Sequence, residues 1–275
     1  MDIALTRDVA RSITRCELTH IARDPIDYER AVLQHSKYCD RLEARGLEVL
    51  RLPADEAYPD CCFVEDVALV LDELAILTMP GASSRRGELA PVAQALRPFR
   101  RRIESLELPG TLDGGDVLVL GRLIYAGLTA RTNQAGIDAL ERIVAPFDYE
   151  VVPVSVTGCL HLKSAVTALD AHTLLANRAW FDSSDFHAND FVDVHAAEPG
   201  AANALRVRDE IWAHPGFPRT FERLAKLGYA VVPMDISEFV KAEAALTCKS
   251  VIFRATPPPA IRAEVDSAFA SEGVL

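Results

Sequence analysis

A recurring unit of two short strands, a helix and a third strand is the feature that most restricts how this chain can fold. Four candidate hairpins follow one another, each with alternating apolar residues on either side of a turn. A helical segment follows the first, second and fourth hairpins, the helical signal after the third is weak, and each unit closes with one more strand. The hairpins are VALVLDELAILT (67–78), DVLVLGRLIYAG (116–127), AVTALDAHTLLA (165–176) and ALRVRDEIWA (204–213).

The spacing of the units predicts a repeat architecture. A fifth unit is split between the chain ends. CKSVIF supplies one strand, and residues 2–53 supply the strand DIALT, a strong helix pattern and the strand LEVLRLP. A period of 20–50 residues is typical of solenoids, propellers and arrays. The unit starts lie 50, 45, 42 and 45 residues apart, at Asp66, Asp116, His161, Asn203 and Cys248.

Closing a ring with the two chain ends would leave no exposed end unit, whereas an open array needs polar capping repeats, which neither end offers. We therefore expect an α/β propeller of five strand-strand-helix-strand units with pseudo-fivefold symmetry. No linker or low-complexity tract interrupts the chain, which predicts a single domain over residues 1–275.

Composition excludes several classes of function. A net charge of −11 argues against a general nucleic-acid binder and suits a cationic small substrate. No apolar run has the length of a signal peptide's core or a membrane span, so we expect a cytoplasmic protein with no membrane partner. The six cysteines lack C-x-x-C spacing, which favours a reduced chain without a structural metal site.

The five unit starts should converge at one mouth of the central channel, although they lie far apart in sequence. They carry two pairs of carboxylates, a histidine and a cysteine, in the segments FVEDV, LDGGDV, LHLKS and LTCKS. Carboxylates raise the pKa of a nearby thiol unless a cation offsets them. A guanidinium substrate would be such a cation, so this combination of residues favours covalent chemistry on a guanidinium carbon.

The roles follow from the residue types. Asp66 would pair with the guanidinium N–H groups, and Cys248 would attack the planar carbon as a thiolate. His161 would donate a proton to the departing nitrogen and then deprotonate a water. Asp113 would hold the imidazole and favour its protonated form. We expect Asp116, the second carboxylate of DGGD, to have a structural role by capping local N–H groups.

Six motifs in order, FVEDVALV, PGASSRRGE, GTLDGGDVL, GLTARTNQAG, LHLKS and ALTCKS, resemble the dimethylarginine dimethylaminohydrolases of the pentein, or guanidino-modifying, superfamily. The resemblance spans nearly the whole chain. It implies a five-bladed α/β propeller that hydrolyses asymmetric dimethylarginine and monomethylarginine to citrulline and dimethylamine or methylamine. It also implies a covalent thiouronium intermediate on the cysteine, and neither a cofactor nor a metal.

The resemblance also implies individual site residues. Cys248 is the nucleophile, His161 the general acid and base, and Asp113 the carboxylate that supports the histidine. Two arginines have a physical reason to hold the amino-acid end, since a guanidinium meets an α-carboxylate in a planar fork. The residues that match substrate-binding positions are Leu18, Asp60, Glu65, Asp66, Arg85, Arg131, Ala242, through its main-chain carbonyl, and Glu243.

Two departures from the family pattern leave alternatives open. Family members often have Asp-Gly shortly before the cysteine, whereas this chain has Glu243 and Ala244, so the loop beside Cys248 could be shifted. Arginine deiminases usually carry an acid two residues after the histidine, and Lys163 stands there instead. Arginine deimination and a non-catalytic binding protein of the same superfamily are the competing hypotheses. The sequence leaves the oligomeric state open, with a homodimer as one arrangement.

Overall fold

The strands form one pairing pattern that recurs from sheet to sheet. The computed structural model describes residues 1–186 and 190–255, and within them the strands make five three-stranded sheets. In each sheet a central strand pairs antiparallel with one neighbour and parallel with the other. This repetition confirms the predicted hairpin closed by one more strand, and the structure shows that this third strand is parallel to the central one.

The elements of the first half of the chain are β1 (Asp2–Arg7), α1 (Tyr28–Ala44), β2 (Glu48–Leu52), β3 (Ala68–Val70), β4 (Ala75–Leu77), α2 (Leu89–Leu96), β5 (Ile103–Ser105), β6 (Val117–Leu120), β7 (Leu123–Leu128), α3 (Gln134–Val144) and β8 (Glu150–Ser155). The second half has α4 (Leu162–Ala165), β9 (Val166–Ala168), β10 (Thr173–Ala176), β11 (Asp190–Asp193), β12 (Leu205–Val207), β13 (Glu210–Ala213), α5 (Pro218–Lys226), β14 (Ala230–Pro233), α6 (Ser237–Val240) and β15 (Val251–Arg254). All four predicted hairpins are present, as β3–β4, β6–β7, β9–β10 and β12–β13.

The fifth sheet joins the two ends of the chain, as the repeat predicted. β15 pairs antiparallel with β1, and β1 pairs parallel with β2 across α1. The helix α1 begins at Asp27, whose side chain accepts a hydrogen bond from the Arg30 amide at 3.1 Å, as an N-cap residue does. It ends before Gly46, which adopts φ +79°.

The third unit departs from the others in the way the sequence indicated. Residues 177–186 contain turns and no helix, and residues 187–189, within the segment of weak helical signal, lie outside the described part of the chain. The short helix α4, which the sequence did not predict, begins directly after His161. It places that histidine at a helix N-terminus immediately before a hairpin.

The apolar core forms several clusters that lie between the sheets and the helices or loops beside them. In the second unit the buried face of α3 carries Ile137, Leu140 and Val144 and packs with Leu112 and Ile124. The spacing of these helical residues is the i, i+3, i+7 pattern of one helix face. Among the described helices, none combines the length and the apolar character needed to cross a bilayer.

The starts of the units consist of tight helical turns rather than open loops. Short 3₁₀ turns at Val64–Val67, Gly114–Asp116 and Thr247–Lys249, together with the N-terminus of α4, each lead into the first strand of a sheet. These turns carry the acids, the histidine and the cysteine that the sequence singled out. The fold therefore positions the candidate site on backbone that is fixed at both ends.

Candidate active site

His161 and Asp113 form a buried pair. The Nε2 atom of His161 lies 3.1 Å from Oδ2 of Asp113, and Oδ1 of Asp113 accepts a hydrogen bond from the Gly81 amide at 2.9 Å. The Asp113 side chain has no exposed surface. Because both carboxylate oxygens have fixed partners, Asp113 sets the orientation of the imidazole ring.

The two glycines of DGGD are required by close packing. A Cβ atom on Gly115 would lie 2.6 Å from Nδ1 of His161 and 2.8 Å from Oδ1 of Asp66. A Cβ atom on Gly114 would lie 1.9 Å from the carbonyl oxygen of Glu65. The missing side chains let the second unit approach the first and third closely enough for their functional groups to meet.

Asp66 is held ionised by a buried arginine. Its Oδ2 accepts a hydrogen bond from Nη1 of Arg85 at 2.5 Å, and its Oδ1 accepts one from the Gly115 amide at 3.2 Å. Oδ1 also lies 3.9 Å from Nδ1 of His161. Burial alone would raise the pKa of Asp66, but the positive charges of Arg85 and His161 outweigh it and lower that pKa.

Arg85 is itself anchored by protein groups. Its Nε and Nη2 donate to the two oxygens of Glu88 at 3.1 and 2.9 Å, and Nη2 also donates to the carbonyls of Asp60 and Phe63. Only 4% of Arg85 is exposed. In this structure the guanidinium of Arg85 thus binds the carboxylate of Glu88 and is not free to bind the α-carboxylate of a substrate. Glu88 was not among the residues predicted from the sequence.

His161 is a cation at neutral pH. Burial alone would lower the pKa of its imidazole, but the carboxylates of Asp116, Asp66 and Asp113 raise the pKa to about 9. Asp116 contributes without touching the ring. It accepts hydrogen bonds from the Leu162 amide at 2.9 Å and from two threonine hydroxyls. The predicted capping role of Asp116 is confirmed, although the amide belongs to α4 rather than to its own turn.

Cys248 lies in the 3₁₀ turn before β15 and is partly exposed. The Ala245 amide donates a hydrogen bond to its Sγ at 3.5 Å. Burial, together with the negative charges of Asp66 and Glu65, raises the pKa of Cys248 to about 12. The cysteine is therefore a neutral thiol in the free protein, and it needs an added cation nearby to become a thiolate.

Glu65 forms an ion pair with Lys163, which stands where arginine deiminases usually carry an acid. Its Oε1 accepts a hydrogen bond from Nζ of Lys163, and its Oε2 accepts one from the Thr247 hydroxyl at 2.8 Å. Burial is the largest influence on Glu65 and raises its pKa, which Lys163 partly counteracts. The replacement of an acid by Lys163 thus reduces the negative charge beside the cysteine.

A small cavity of about 20 Å³ brings most of the predicted residues together. It has room for roughly one water molecule. Glu65, Asp113 and His161 do not line it, although His161 lies 3.9 Å from Asp66, which does. Leu18 does not line it either: it is half-buried and packs on the hydrophobic core beside the cavity. The predicted residues that line the cavity are Asp60, Asp66, Arg85, Arg131, Ala242, Glu243 and Cys248, with Glu17, Phe63, Leu160 and Ala244 completing the wall.

The loop 17–20 occupies several groups that the sequence assigned to the substrate. The Glu17 amide donates to Oδ2 of Asp60 at 3.1 Å, and Nη2 of Arg131 donates to the Thr19 hydroxyl at 3.0 Å. Both carboxylate oxygens of Glu243 accept backbone amides of this loop. Glu243, expected as a guanidinium ligand, thus contacts the loop in this structure.

In the described residues, Asp66, Asp113 and His161 also form a group whose potential metal-ligand atoms all lie within 4.8 Å of one another. Each already has a partner inside the protein, since Arg85 neutralises Asp66 and the imidazole pairs with Asp113. The positive charges of Arg85 and His161 suit this cluster to proton transfer.

Comparison with known proteins agrees with the motifs. A family model described as N,N dimethylarginine dimethylhydrolase, eukaryotic, matches residues 19–169. A dimethylarginine dimethylaminohydrolase of Streptomyces coelicolor is 39% identical over 252 residues, which cover 91% of this chain and 96% of that protein. This chain belongs to the dimethylarginine dimethylaminohydrolase family. The enzyme of that name from Pseudomonas aeruginosa is 34% identical over 82% of this chain and 90% of its own length.

Solved structures of the family superimpose on this one. The Pseudomonas aeruginosa enzyme, as a cysteine-to-serine mutant complexed with citrulline, aligns with a TM-score of 0.86 and 33% identity over 91% of this chain and 98% of its own. The N-terminal domain of a cyanobacterial arginine dihydrolase aligns with a TM-score of 0.79 at 22% identity, which supports the fold alone. The family membership and the site geometry thus rest on independent observations.

Proposed function

We propose that this protein hydrolyses N-ω-methylated arginines, asymmetric dimethylarginine and monomethylarginine, to citrulline and dimethylamine or methylamine. One observation carries the proposal: the neutral thiol of Cys248 and the buried carboxylate of Asp66 line one cavity. The protonated His161, which is paired with Asp113, lies 3.9 Å from Asp66. This set is incomplete without a cation, and a guanidinium supplies both the charge and the electrophilic carbon. The names of its relatives and the citrulline bound to one of them support the choice of substrate.

The first half of the reaction forms a bond to sulfur. A guanidinium between Asp66 and Cys248 offsets the carboxylates that raise the pKa of the thiol, which releases its proton to solvent. The thiolate attacks the guanidinium carbon, and His161 gives its proton to the methylated nitrogen as the C–N bond breaks. The amine departs, and the carbon stays on Cys248 as a thiouronium.

The second half reverses the role of the histidine. The neutral His161 takes a proton from a water, and the resulting hydroxide attacks the thiouronium carbon. The C–S bond then breaks and the added hydroxyl loses its proton to solvent, which restores the thiolate and leaves citrulline. Asp113 acts throughout by holding the ring and stabilising its charged form.

At the amino-acid end, we infer that Arg131 and Asp60 exchange the loop 17–20 for the substrate's α-carboxylate and α-ammonium groups. Arg131 has the planar donor geometry that suits a carboxylate, and its present partner is only a hydroxyl. The carbonyl of Ala242 would add a hydrogen-bond acceptor. Arg85 would act mainly through Asp66, because its donors already meet Glu88 and two carbonyls.

The test is citrulline formation from asymmetric dimethylarginine by the wild type and by Cys248→Ser. We expect citrulline and dimethylamine in equal amounts from the wild type and none from the serine variant. Faster turnover of unmethylated arginine would replace the proposal with arginine deimination. Ligand binding without turnover by either protein would favour the non-catalytic alternative.

We also infer that the five sheets close into a propeller. Hydrogen bonds between unit starts support this, because they follow the cyclic order of the units and the last returns to the first. Gly115 donates to Asp66, Leu162 to Asp116, Asn203 to Lys163 and to Thr247, and Thr247 to Glu65. A single domain over residues 1–275 and a cytoplasmic location stay predictions from the sequence, and residues 256–275 lie outside the described part of the chain. A homodimer likewise stays a prediction.

A further inference from the structure

Glu243 joins the loop before the nucleophile to the loop 17–20. Its Oε2 accepts a hydrogen bond from the Thr19 amide at 2.6 Å, and its Oε1 accepts one from the His20 amide at 2.9 Å. Two successive backbone N–H groups therefore point at one carboxylate, and the charge of the acceptor makes both bonds stronger than neutral ones. The contact spans more than 220 residues of sequence.

The backbone at Glu243 is strained in a way that calls for an explanation. Glu243 adopts φ +57°, and it follows α6 in the pattern of a Schellman motif, where glycine is the usual residue. The Ala244 amide bonds to the carbonyl of Phe239 and the Glu243 amide to that of Val240, as the motif requires. A side chain in the left-handed region costs conformational energy. That cost is offset where the side chain makes a contact that glycine could not.

The other attachments of the loop use groups that the substrate needs. The Asp60 and Arg131 side chains bind the loop in the free protein, and both are proposed to bind the amino-acid end of the substrate. Glu243 differs because both of its oxygens can stay on the loop while the substrate is bound. Substrate entry still requires the loop to move, since the cavity beside it holds about 20 Å³.

We propose that Glu243 is a positioning residue that fastens the loop 17–20 against the cavity and thereby sets substrate affinity, rather than a ligand of the guanidinium. Only the effect on substrate affinity rests on the proposed function; the contact between Glu243 and the loop does not. After the substrate enters, the loop 17–20 binds again to the carboxylate of Glu243, so the bound substrate is covered. Without the carboxylate, the covered state is less populated, and the apparent affinity falls in proportion.

The decisive variant is Glu243→Gly, which removes the carboxylate and also relieves the positive φ, so the fold should keep its thermal stability. Amide hydrogen exchange at Thr19 and His20 in the ligand-free protein is the direct measurement. We expect both amides to exchange about tenfold faster, the factor for the loss of one charge-assisted hydrogen bond. In Glu243→Gln a single carbonyl oxygen remains, and we expect one of the two amides to stay protected.

Asp148→Gly is the matched control. Asp148 is an exposed acid with φ +61° after a short helical turn in the second unit, so its replacement removes the same kind of strain and charge. We expect no change in the exchange of Thr19 and His20. An unchanged exchange rate in Glu243→Gly would overturn the proposal.

Kinetics with asymmetric dimethylarginine separate positioning from catalysis. We expect KM to rise about tenfold in Glu243→Gly with kcat nearly unchanged, the pattern of lost uniform binding. A fall in kcat at constant KM would instead place Glu243 at the reacting guanidinium and refute the positioning role. Faster exchange with unaltered KM would also refute it. If the wild type makes no citrulline, the proposed function fails, while the exchange rates still decide whether Glu243 holds the loop.

Discussion

Asp113→Asn tests the electrostatic account of the site in most depth. The Gly81 amide donates to Oδ1 of Asp113, so an asparagine must place its carbonyl oxygen there. Its NH₂ group then faces Nε2 of His161, the atom that Oδ2 now contacts at 3.1 Å. A donor in that place favours the neutral imidazole, whereas the carboxylate favours the imidazolium.

The size of the effect follows from the raised pKa. The carboxylates of Asp116, Asp66 and Asp113 together overcome burial and raise the pKa of His161 from 6.5 to about 9. An equal share of that change for Asp113 makes proton binding to His161 about sevenfold weaker without it, or ~1.1 kcal/mol. The reversed hydrogen bond adds to this loss. We therefore expect the pKa of His161 to move towards neutrality in the variant.

Proton NMR of the His161 ring against pH measures the pKa directly, and the alkaline limb of kcat against pH measures its consequence. In the proposed reaction His161 is protonated when it releases the amine, so that limb should shift to lower pH together with the NMR titration. Loss of the correctly oriented acid typically costs 10²- to 10⁴-fold in rate, so we expect a kcat reduced by about 10²-fold at pH 8. An unchanged His161 titration in Asp113→Asn would refute the reasoning.

Three further predictions concern groups around the site. Glu65→Gln removes one of the negative charges that raise the pKa of Cys248, so iodoacetamide should alkylate this cysteine several-fold faster at pH 8 than in the wild type. Cys248→Ser measures alkylation of the other cysteines. Equal rates in Glu65→Gln and the wild type would show that Glu65 does not raise the pKa of Cys248. Gly115→Ala should lower the free energy of unfolding by about 2 kcal/mol and reduce kcat, because the added methyl group would clash with His161 and Asp66. Gly200→Ala is the control: its Cβ atom would make ordinary van der Waals contacts, so neither the free energy of unfolding nor kcat should change. Burial lowers the pKa of Lys249 to about 7, so its charged form is disfavoured in the folded state and the protein gains stability as pH rises from 7 to 10.5. Lys249→Met should therefore be more stable than the wild type by up to ~5 kcal/mol at pH 6. Urea titrations should show that this difference in stability shrinks as the pH rises towards 10.5. A difference that does not change with pH would disprove the assignment.

The sequence alone determined the repeating unit and named the candidate reactive groups. Alternating apolar and polar residues mark the strands and the side chains that face the core. The four hairpins and the pairing of the two chain ends could therefore be predicted from this alternation and from the spacing of the units. Cys248 and His161 could be named as candidates because each stands at the start of a unit, and Asp113 because it lies three residues before the start of another, within a recognisable motif. In the third unit the helical signal is weak, and residues 177–186 contain turns and no helix.

Only the tertiary structure decided which group each charge meets. Asp66, Glu65 and Glu243 are all acids near one cavity, but Asp66 meets Arg85, Glu65 meets Lys163, and Glu243 meets the amides of a distant loop. Side-chain pairing across units depends on distances of a few tenths of an ångström, which local pattern does not encode. Electrostatic interactions and pKa values depend on those distances and on burial, so the charge states of the site emerged only from the folded chain.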